Sequence, residues 1–234
     1  MDRNFDAALF DLDGVLTPTA IVHMAAWAEM FDAFLTARGA EPYTDQDYFD
    51  HVDGKPRYDG VRDLLHSRGI ELPEGDPDDS PDAETICGLG NRKNDAFNAV
   101  LARDGVAPYP GSLALVEAYA AQGRPMAVVS SSKNAPAVLA AAGLDHFFDV
   151  VIDGAVAARD GIPGKPAPDT YLAAADRLGV PRERAAVFED AISGVVAGHA
   201  GGFATVIGVD RGVGAQALRD AGADRVVTDL AELL

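Results

Sequence analysis

The fold is decided near the amino terminus by residues 7–19, which read Ala-Ala-Leu-Phe-Asp-Leu-Asp-Gly-Val-Leu-Thr-Pro-Thr. The apolar start predicts a buried β-strand that ends in two aspartates, Asp11 and Asp13, with a turn at Gly14. Because residues i and i+2 of a strand share a face, both carboxylates should point into one crevice at the carboxyl end of the strand. Two carboxylates this close repel each other, so they favour a hard cation such as Mg²⁺, usually together with a phosphate. The alternative is an ordinary polar turn after a strand.

The C-terminal two-thirds of the chain alternates short β-branched runs with Ala- and Leu-rich segments of helical spacing. The predicted strands are residues 126–130, 149–152, 185–188, 204–208 and 225–227. The predicted helices are residues 112–122, 135–142, 169–178, 194–200 and 214–221. Strands that are buried on both faces and alternate with helices are typical of an α/β fold with a doubly wound parallel sheet.

The segment that follows the first strand breaks this alternation, because it predicts consecutive helices with no strand between them. The helices are expected at residues 21–38, 44–51, 57–68 and 91–104, and an acidic, Pro-rich loop at 72–82 interrupts them. We therefore predict an inserted helical cap domain over residues 18–104. Residues 1–17 and 105–234 would form the Rossmann-like core domain.

Composition excludes several classes of protein. The 234 residues contain 37 acidic and 19 basic side chains, a formal charge of −18, which disfavours binding to nucleic acid or to an anionic membrane. Cys87 is the only cysteine, so the chain has neither an internal disulfide nor a cluster of thiolate metal ligands. It contains neither a long apolar run nor a basic segment leading into one at the amino terminus, and we expect a soluble cytoplasmic protein.

Polar residues follow three further predicted strands. They are Ser130, Ser131, Ser132, Lys133 and Asn134 after one strand, Lys165 between a glycine and a proline, and Glu189 with Asp190 after another strand. Hydroxyls and backbone N–H groups at a helix start can bind an anion, a fixed lysine can bind a phosphoryl oxygen, and the two acids can complete a metal site. Taken singly, each group also fits an ordinary structure: a serine N-cap, a solvated lysine and an acidic turn.

In this order the four motifs resemble those of the haloacid dehalogenase superfamily, whose Mg²⁺-dependent phosphotransferases carry them on the strand ends of one sheet. The resemblance covers essentially the whole chain. It implies that Asp11 is the nucleophile and Asp13 the general acid and base. It also implies that Mg²⁺ binds Asp11, the Asp13 carbonyl, Glu189 and Asp190, while Lys165 and Ser130 neutralise the phosphoryl oxygens.

Within this superfamily the chain is similar to the β-phosphoglucomutases. The similarity rests on Thr19-Ala20-x-x-His23-x-x-x-Trp27, on residues 92–95 and 132–134, on residues 165–169, and on an arginine at position 57. It implies a substrate site formed by His23, Trp27, Arg57, Lys93, Asn94, residues 130–134 and Lys165. His23 and Trp27 are i and i+4 on a predicted helix, so core packing is the alternative for that pair. The chain departs from the pattern at Pro18 and Gly164, and its acidic loop is longer, which leaves the size of the substrate open.

The predicted function is a Mg²⁺-dependent isomerase that interconverts β-glucose 1-phosphate and glucose 6-phosphate through an aspartyl-phosphate enzyme and glucose 1,6-bisphosphate. In this interpretation Arg57, Ser132, Lys133 and Asn134 bind the second phosphate that a mutase must hold. The alternatives are a sugar-phosphate phosphatase with the same aspartyl-phosphate chemistry, a silent binding module on the same fold, and a dehalogenase proper. The expected partner is a small sugar phosphate, and the resemblance implies a monomer.

Overall fold

The computed structural model describes residues 5–234, which divide into two compact units. The first unit consists of the chain up to Thr19 together with Val106–Leu234, and the second consists of Ala20–Gly105. Among the described residues, no helix has the length and apolar character needed to cross a lipid bilayer.

The first unit contains a six-stranded parallel sheet with the order β3-β2-β1-β4-β5-β6. The strands, from β1 to β6, are Ala7–Phe10, Met126–Val129, Val150–Ile152, Ala185–Glu189, Thr205–Val209 and Arg225–Val227. The prediction of a doubly wound parallel sheet is confirmed, and the predicted strands are correct to within a residue at each end. The chain proceeds outward from β1 in one direction through β2 and β3 and in the other through β4, β5 and β6. The switch point therefore lies at β1 and β4, where α/β sheets of this kind bind their ligands.

The four residues of β1 are fully buried because both faces of the sheet are covered. On one face Phe10 stacks on Phe188, its register partner in β4, with ring centroids 4.5 Å apart. On the other face Leu9 and Val187 belong to a cluster of aliphatic side chains that includes Tyr171. Truncation of a buried leucine such as Leu9 to alanine costs about 2–5 kcal/mol, so this packing holds the carboxyl end of β1 in place.

The second unit is helical. Its helices are α1 (Thr19–Ala37, which starts at the last residue of the first unit), α2 (Asp45–Asp47, continued by a π-helical turn at Tyr48–Val52), α3 (Arg57–Ser67) and α4 (Ile86–Asp104). Aromatic and aliphatic side chains from these helices form one core, in which Trp27 stacks on Phe31 and Phe31 on Tyr43. The prediction for α4 is wrong at its start, because the helix begins at Ile86 rather than at residue 91. Gly88 and Gly90 lower the helix propensity there, but Thr85 caps the helix by accepting a hydrogen bond from the Gly88 N–H at 2.9 Å.

The remaining helices alternate with the strands along the chain. They are α5 (Pro110–Ala121), α6 (Ala135–Ala141), α7 (Gly154–Asp160), α8 (Asp169–Leu178), α9 (Ile192–Ala200) and α10 (Ala215–Asp220). Helix α7 is not among the predicted helices. It is short, starts with a glycine and ends at Gly161 with a φ of 66°, while Asp153 caps its start through the Val156 N–H.

Candidate active site

The centre of the site in the first unit is the ammonium group of Lys165, which is almost fully buried. Its Nζ donates to Asp11 Oδ1 at 2.5 Å, to Glu189 Oε1 at 2.5 Å and to the carbonyl of Val129 at 3.1 Å. These three acceptors come from the carboxyl ends of β1, β4 and β2. The sheet register thus brings together the lysine and two of the acids that the sequence motifs single out.

Glu189 is completely buried, and both of its carboxylate oxygens accept hydrogen bonds. Oε1 accepts from Lys165 and from the hydroxyl of Tyr171 at 3.1 Å, and Oε2 accepts from the Ala191 N–H at 2.9 Å. A buried carboxylate is stable only when its oxygens are paired in this way. Glu189 therefore fixes the position of Lys165, and Tyr171 fixes the position of Glu189.

Two glycines provide the space that these carboxylates occupy. A Cβ atom at Gly14 would overlap Asp190 Oδ2, and a Cβ atom at Gly194, in the first turn of α9, would overlap the carboxylate of Glu189. Gly14 also has a φ of 89°, a conformation that L-residues rarely adopt. The Asp-x-Asp-Gly sequence is thus needed for the turn itself and for the close approach of Asp190.

The electrostatics of this cluster are dominated by burial. Burial raises the pKa of the Asp11 carboxyl, and the neighbouring Lys165 ammonium opposes that rise without cancelling it. Burial alone would lower the pKa of Lys165, but the carboxylates of Asp11 and Glu189 outweigh it and raise the pKa well above its ordinary value. Lys165 is therefore protonated at neutral pH, and the acids around it outnumber this single positive charge.

Asp11, Glu189 and Asp190 each place a carboxylate oxygen so that the three atoms lie within 4.8 Å of one another. All three donors are hard oxygens, the ligands that Mg²⁺ and Ca²⁺ prefer over imidazole or thiolate. A divalent cation would also offset the excess negative charge that Lys165 leaves uncompensated. The residues present therefore fit a hard metal ion.

Asp13 lies in the turn after β1 rather than in the strand, and it is held by hydroxyl groups. Thr19 Oγ1 donates to Asp13 Oδ1 at 2.5 Å, and Ser130 Oγ, at the end of β2, donates to Asp13 Oδ2 at 3.3 Å. The hydroxyls of Thr17 and Thr19 are in turn 2.7 Å apart. A chain of hydroxyls thus orients the second aspartate, as a group that transfers protons requires.

Residues 130–134 form a tight turn from β2 into α6. The backbone N–H of Ser132 donates to Ser130 Oγ at 3.1 Å, and the N–H of Asn134 donates to Ser132 Oγ at 3.1 Å. A Cβ atom at Gly154 would lie 2.5 Å from the carbonyl oxygen of Ser131, so α7 packs closely against this turn. The serine side chains therefore accept backbone N–H groups within the turn itself, whereas the N-cap of α6 is Asn134, which makes no capping bond through its side chain. The side chain of Lys133 is exposed.

In the second unit, His23, Trp27 and Lys93 form one cluster. The imidazole of His23 is hydrogen-bonded through Nδ1 to Lys93 Nζ and stacks on Phe97, with ring centroids 4.0 Å apart. Lys93 is buried, and its Nζ lies 4.9 Å from the centroid of the Trp27 ring. This is the distance of a cation–π contact, which stabilises a desolvated ammonium. The structure is therefore compatible with both interpretations of this pair, a substrate site and core packing. Both side chains are buried, as in a core, and both contact the Lys93 ammonium.

Arg57, at the start of α3, donates from Nη2 to Asn94 Oδ1 on α4 at 2.6 Å. Burial lowers the pKa of its guanidinium, although an arginine remains charged at neutral pH. Five other basic side chains of this unit each form an ion pair with a carboxylate: Arg38 with Glu84, Lys55 with Asp63, Arg62 with Asp59 and Glu74, Arg68 with Asp47, and Arg103 with Asp104. Arg57 differs from them because its side-chain hydrogen bonds go to the neutral groups of Asn94 and Tyr58, while the Asp95 carboxylate acts on its pKa without forming an ion pair with it.

Two contacts within the candidate site were not identified from the sequence. Tyr171 lies in the first turn of α8, where its aromatic ring reads as core packing, and only the structure shows its hydroxyl on Glu189. Thr19 appears in the motif that opens the helical insertion, and the structure adds its bond to Asp13. The spacing of Thr17 and Thr19 could have indicated a shared direction, but not the acceptor.

Comparison with known proteins identifies the family. A model of the haloacid dehalogenase-like hydrolases matches residues 5–202. The chain belongs to this family. The predicted superfamily and enzyme class are therefore confirmed.

The relatives include proteins of both predicted activities. A β-phosphoglucomutase of Mycobacterium tuberculosis (strain CDC 1551 / Oshkosh) is 54% identical over 97% of this chain and 91% of its own length. The fructose-1-phosphate phosphatase YqaB of Escherichia coli is 34% identical over 88% of this chain and 97% of its own length. Among solved structures, a hydrolase from Pseudomonas syringae superposes with a TM-score of 0.80 at 25% identity, covering 97% and 95% of the two chains.

Proposed function

We propose that this protein is a Mg²⁺-dependent mutase that interconverts β-glucose 1-phosphate and glucose 6-phosphate through a bisphosphate intermediate. The observation that carries the proposal is Arg57, a largely buried guanidinium bonded to the neutral Asn94 in a unit whose other cations are largely in ion pairs. A mutase must bind two phosphates, and a guanidinium is the side chain best suited to the second one. The 54% identity to a relative named β-phosphoglucomutase supports the same conclusion.

In the proposed reaction, the Asp11 carboxylate attacks the phosphorus atom of a sugar phosphate group. The bond between phosphorus and the sugar oxygen breaks, and Asp13 donates a proton to that oxygen. The phosphoryl group is then carried on Asp11. When the other sugar hydroxyl attacks it, Asp13 takes the hydroxyl proton and the Asp11 carboxylate is released.

Lys165 and Ser130 are proposed to neutralise the phosphoryl oxygens during both transfers. We propose Asp11, the Asp13 carbonyl, Glu189 and Asp190 as the Mg²⁺ ligands, and the ion would supply further positive charge at the same oxygens. Glu189 has a second task in this arrangement, since it holds Lys165 in place at 2.5 Å. The exposed Lys133, with Ser132 and Asn134, is proposed to contribute with Arg57 to binding the second phosphate.

We further propose that the second unit, Ala20–Gly105, is the cap domain, and that the protein acts as a monomer on a small sugar phosphate. His23, Trp27 and Lys93 would contact the sugar or stabilise the closed state. A cap that closes excludes water, which separates a mutase from a phosphatase with the same nucleophile.

A sugar-phosphate phosphatase is the second candidate, because the chain is 34% identical to a relative named as a fructose-1-phosphate phosphatase. The two functions differ only in whether a sugar hydroxyl or water attacks the phosphorylated Asp11. Any structural feature of the Asp11–Lys165 cluster therefore supports both equally.

The experiment incubates the protein with Mg²⁺, β-glucose 1-phosphate and a trace of glucose 1,6-bisphosphate, and follows glucose 6-phosphate and inorganic phosphate separately. The mutase predicts glucose 6-phosphate with little inorganic phosphate. The α-anomer of glucose 1-phosphate is the matched control and should not react. Stoichiometric phosphate release without glucose 6-phosphate, or faster turnover of fructose 1-phosphate, would establish the phosphatase instead.

A further inference from the structure

The acidic segment between α3 and α4, residues 72–85, is hereafter called the brace loop. Backbone hydrogen bonds connect this loop to the first turn of α4. The backbone N–H of Ile86 donates to the carbonyl of Pro73, and that of Cys87 donates to the carbonyl of Glu74, each at 3.0 Å. The first N–H groups of a helix have no partner within the helix, so the loop supplies acceptors that α4 itself lacks.

Two glycines allow the brace loop to lie this close to the helix. Gly75 has a φ of 77°, and a Cβ atom there would overlap the carboxylate of Asp79. A Cβ atom at Gly88, on α4, would overlap the carbonyl of Ala83. Thr85 adds a side-chain contact, because its hydroxyl donates to Asp79 Oδ2 at 2.6 Å. The loop thus has a defined conformation that its own sequence specifies.

Asn91, one turn into α4, joins the brace loop to α3. Its Nδ2 donates to the carbonyls of Pro77 and Asp79 at 3.0 and 2.9 Å, and its Oδ1 accepts from the hydroxyl of Tyr58 at 3.0 Å. Both amide protons and the amide oxygen are therefore engaged. Only an amide can make this set of bonds, since a carboxylate at the same position could not donate to the two carbonyls.

Tyr58 in turn borders Arg57. The guanidinium carbon of Arg57 lies 6.0 Å from the centroid of the Tyr58 ring, at the outer limit of a cation–π contact. Both side chains lie on the backbone of α4 at Gly90, where a Cβ atom would be 2.8 Å from the Tyr58 ring and 3.1 Å from Arg57 Cδ. Asn94 therefore holds Arg57 directly. On its other side Arg57 contacts Tyr58, which is bonded to Asn91, and Asn91 is bonded to the brace loop.

We propose that Asn91 is a positioning residue for the second-phosphate subsite, which couples the brace loop to Arg57 through Tyr58. This inference rests on the proposed function, because Arg57 is the residue assigned to that phosphate. In this proposal the brace loop affects which substrate is bound, because it holds α3 and α4 in the arrangement that a bisphosphate requires.

The test is the substitution Asn91→Asp in the full chain, which keeps the size and the acceptor but removes both donors. Misplacement of a substrate-binding group by about 1 Å can cost about 10²-fold in rate. Because Asn91 acts on Arg57 only through Tyr58, we expect a smaller loss: kcat/KM for β-glucose 1-phosphate should fall about tenfold, mainly through a higher KM. Hydrolysis of acetyl phosphate, which has no second phosphate, should change by less than about twofold. The matched control is Asn98→Asp, the same change at an exposed position of the same helix, which should alter neither activity.

Tyr58→Phe provides a second measurement, because it keeps the ring beside Arg57 and removes the hydroxyl, which is bonded to Asn91 and also interacts with Arg57. It should raise the KM in the same way, and the double variant should lose less than the sum of the two single losses, since both break one connection. Equal losses on both substrates, or no change in KM, would overturn the positioning role. If the wild-type chain produces no glucose 6-phosphate, the proposed function itself fails, and that result is known before any variant is measured.

Discussion

Lys165 in the first unit and Arg57 in the second are both largely withdrawn from water, but their partners differ. Lys165 contacts two carboxylates at 2.5 Å each, so its charge is already used to hold the acids of the cluster together. Arg57 donates to the neutral oxygen of Asn94, and we propose that its charge also serves an incoming anion. Burial removes a cation from the water that solvates it, and a neutral partner offsets this cost less than a carboxylate does. Binding of an anionic ligand to such a cation is therefore electrostatically favourable.

The difference between the partners of Lys165 and Arg57 suggests different roles for the two units, one in the reaction and the other in the choice of substrate. In the proposed mechanism the residues that transfer the phosphoryl group to and from Asp11 all lie in the first unit, and a mutase and a phosphatase would need the same set. In the same proposal the second unit contributes Arg57, which would bind the second phosphate of a bisphosphate. Substitutions on the two sides should therefore have different signatures on substrates that carry one phosphate or two.

The largest effect is expected from Asp11→Asn, which removes the proposed nucleophile. Activity on β-glucose 1-phosphate and on acetyl phosphate should both fall by about 10⁴-fold or more, since both depend on the same covalent step. The comparison uses rates of product formation at saturating substrate, with Asp32→Asn on the exposed face of α1 as the control. Retention of either activity would contradict the assignment of Asp11.

A smaller and selective effect is expected from Arg57→Ala. A guanidinium can form two charge-assisted hydrogen bonds with a phosphate, each contributing about 1.5 kcal/mol or more, so kcat/KM for β-glucose 1-phosphate should fall about 100-fold. Acetyl phosphate hydrolysis should stay within about threefold of wild type, since no second phosphate is present. The control is Arg103→Ala, whose side chain is 71% exposed in the same unit. Equal loss on both substrates would place Arg57 in the common chemistry and remove the distinction between the two units.

The bounds of the strands in the first unit were predicted more accurately than those of the helices in the second unit, for a physical reason. The strands are short, apolar and buried on both faces, so composition alone locates them, and β1 and β6 have the predicted bounds. The start of α4 was predicted too late because Gly88 and Gly90 disfavour a helix when taken alone. The hydrogen bonds that the brace loop offers to that helix start are tertiary contacts, which residue propensities do not contain.

The site shows the same limit. The order of the motifs was enough to predict that Asp11, Lys165 and Glu189 meet at one edge of the sheet, because parallel strands end on the same side. The hydroxyl of Tyr171 on Glu189 could not be predicted, since its position in α8 is equally suited to core packing. A hydrogen bond between elements depends on distances that only the packed structure defines.

Tyr171→Phe tests the first unit more finely, because it removes one hydroxyl and keeps the buried ring. Loss of a single hydrogen bond to Glu189 should lower the free energy of unfolding by about 1 kcal/mol and reduce kcat by a few fold, about three to ten. The reduction should be the same for both substrates, unlike that of Arg57→Ala. Urea unfolding and steady-state kinetics measure the two effects, and Tyr43→Phe, at a buried tyrosine of the second unit, is the control for the kinetics. A loss confined to β-glucose 1-phosphate would show that Tyr171 serves substrate choice.

The smallest effect concerns an ordinary ion pair of the second unit, Arg68 with Asp47, whose Nη2 and Oδ2 atoms lie 2.7 Å apart. Burial alone would raise the pKa of Asp47, but hydrogen bonds from Arg68 and Thr44 outweigh it and lower the pKa below its ordinary value. A carboxyl with a lowered pKa stabilises the folded state above the unfolded pKa of about 3.9, and this contribution is lost as the pH falls through the folded value.

Arg68→Met should therefore lower the free energy of unfolding by about 1–2 kcal/mol at pH 7, with both activities unchanged once the protein is folded. Urea unfolding of the two proteins between pH 7 and pH 2 should show a constant difference down to about pH 4, which then shrinks as Asp47 becomes protonated. Arg57→Met is the matched comparison and should show the reverse, with little change in stability and a loss of mutase activity. If Arg68→Met also impaired β-glucose 1-phosphate turnover, a cation already paired with a carboxylate would take part in substrate binding. The contrast between Arg57 and the ion-paired cations of the second unit would then fail.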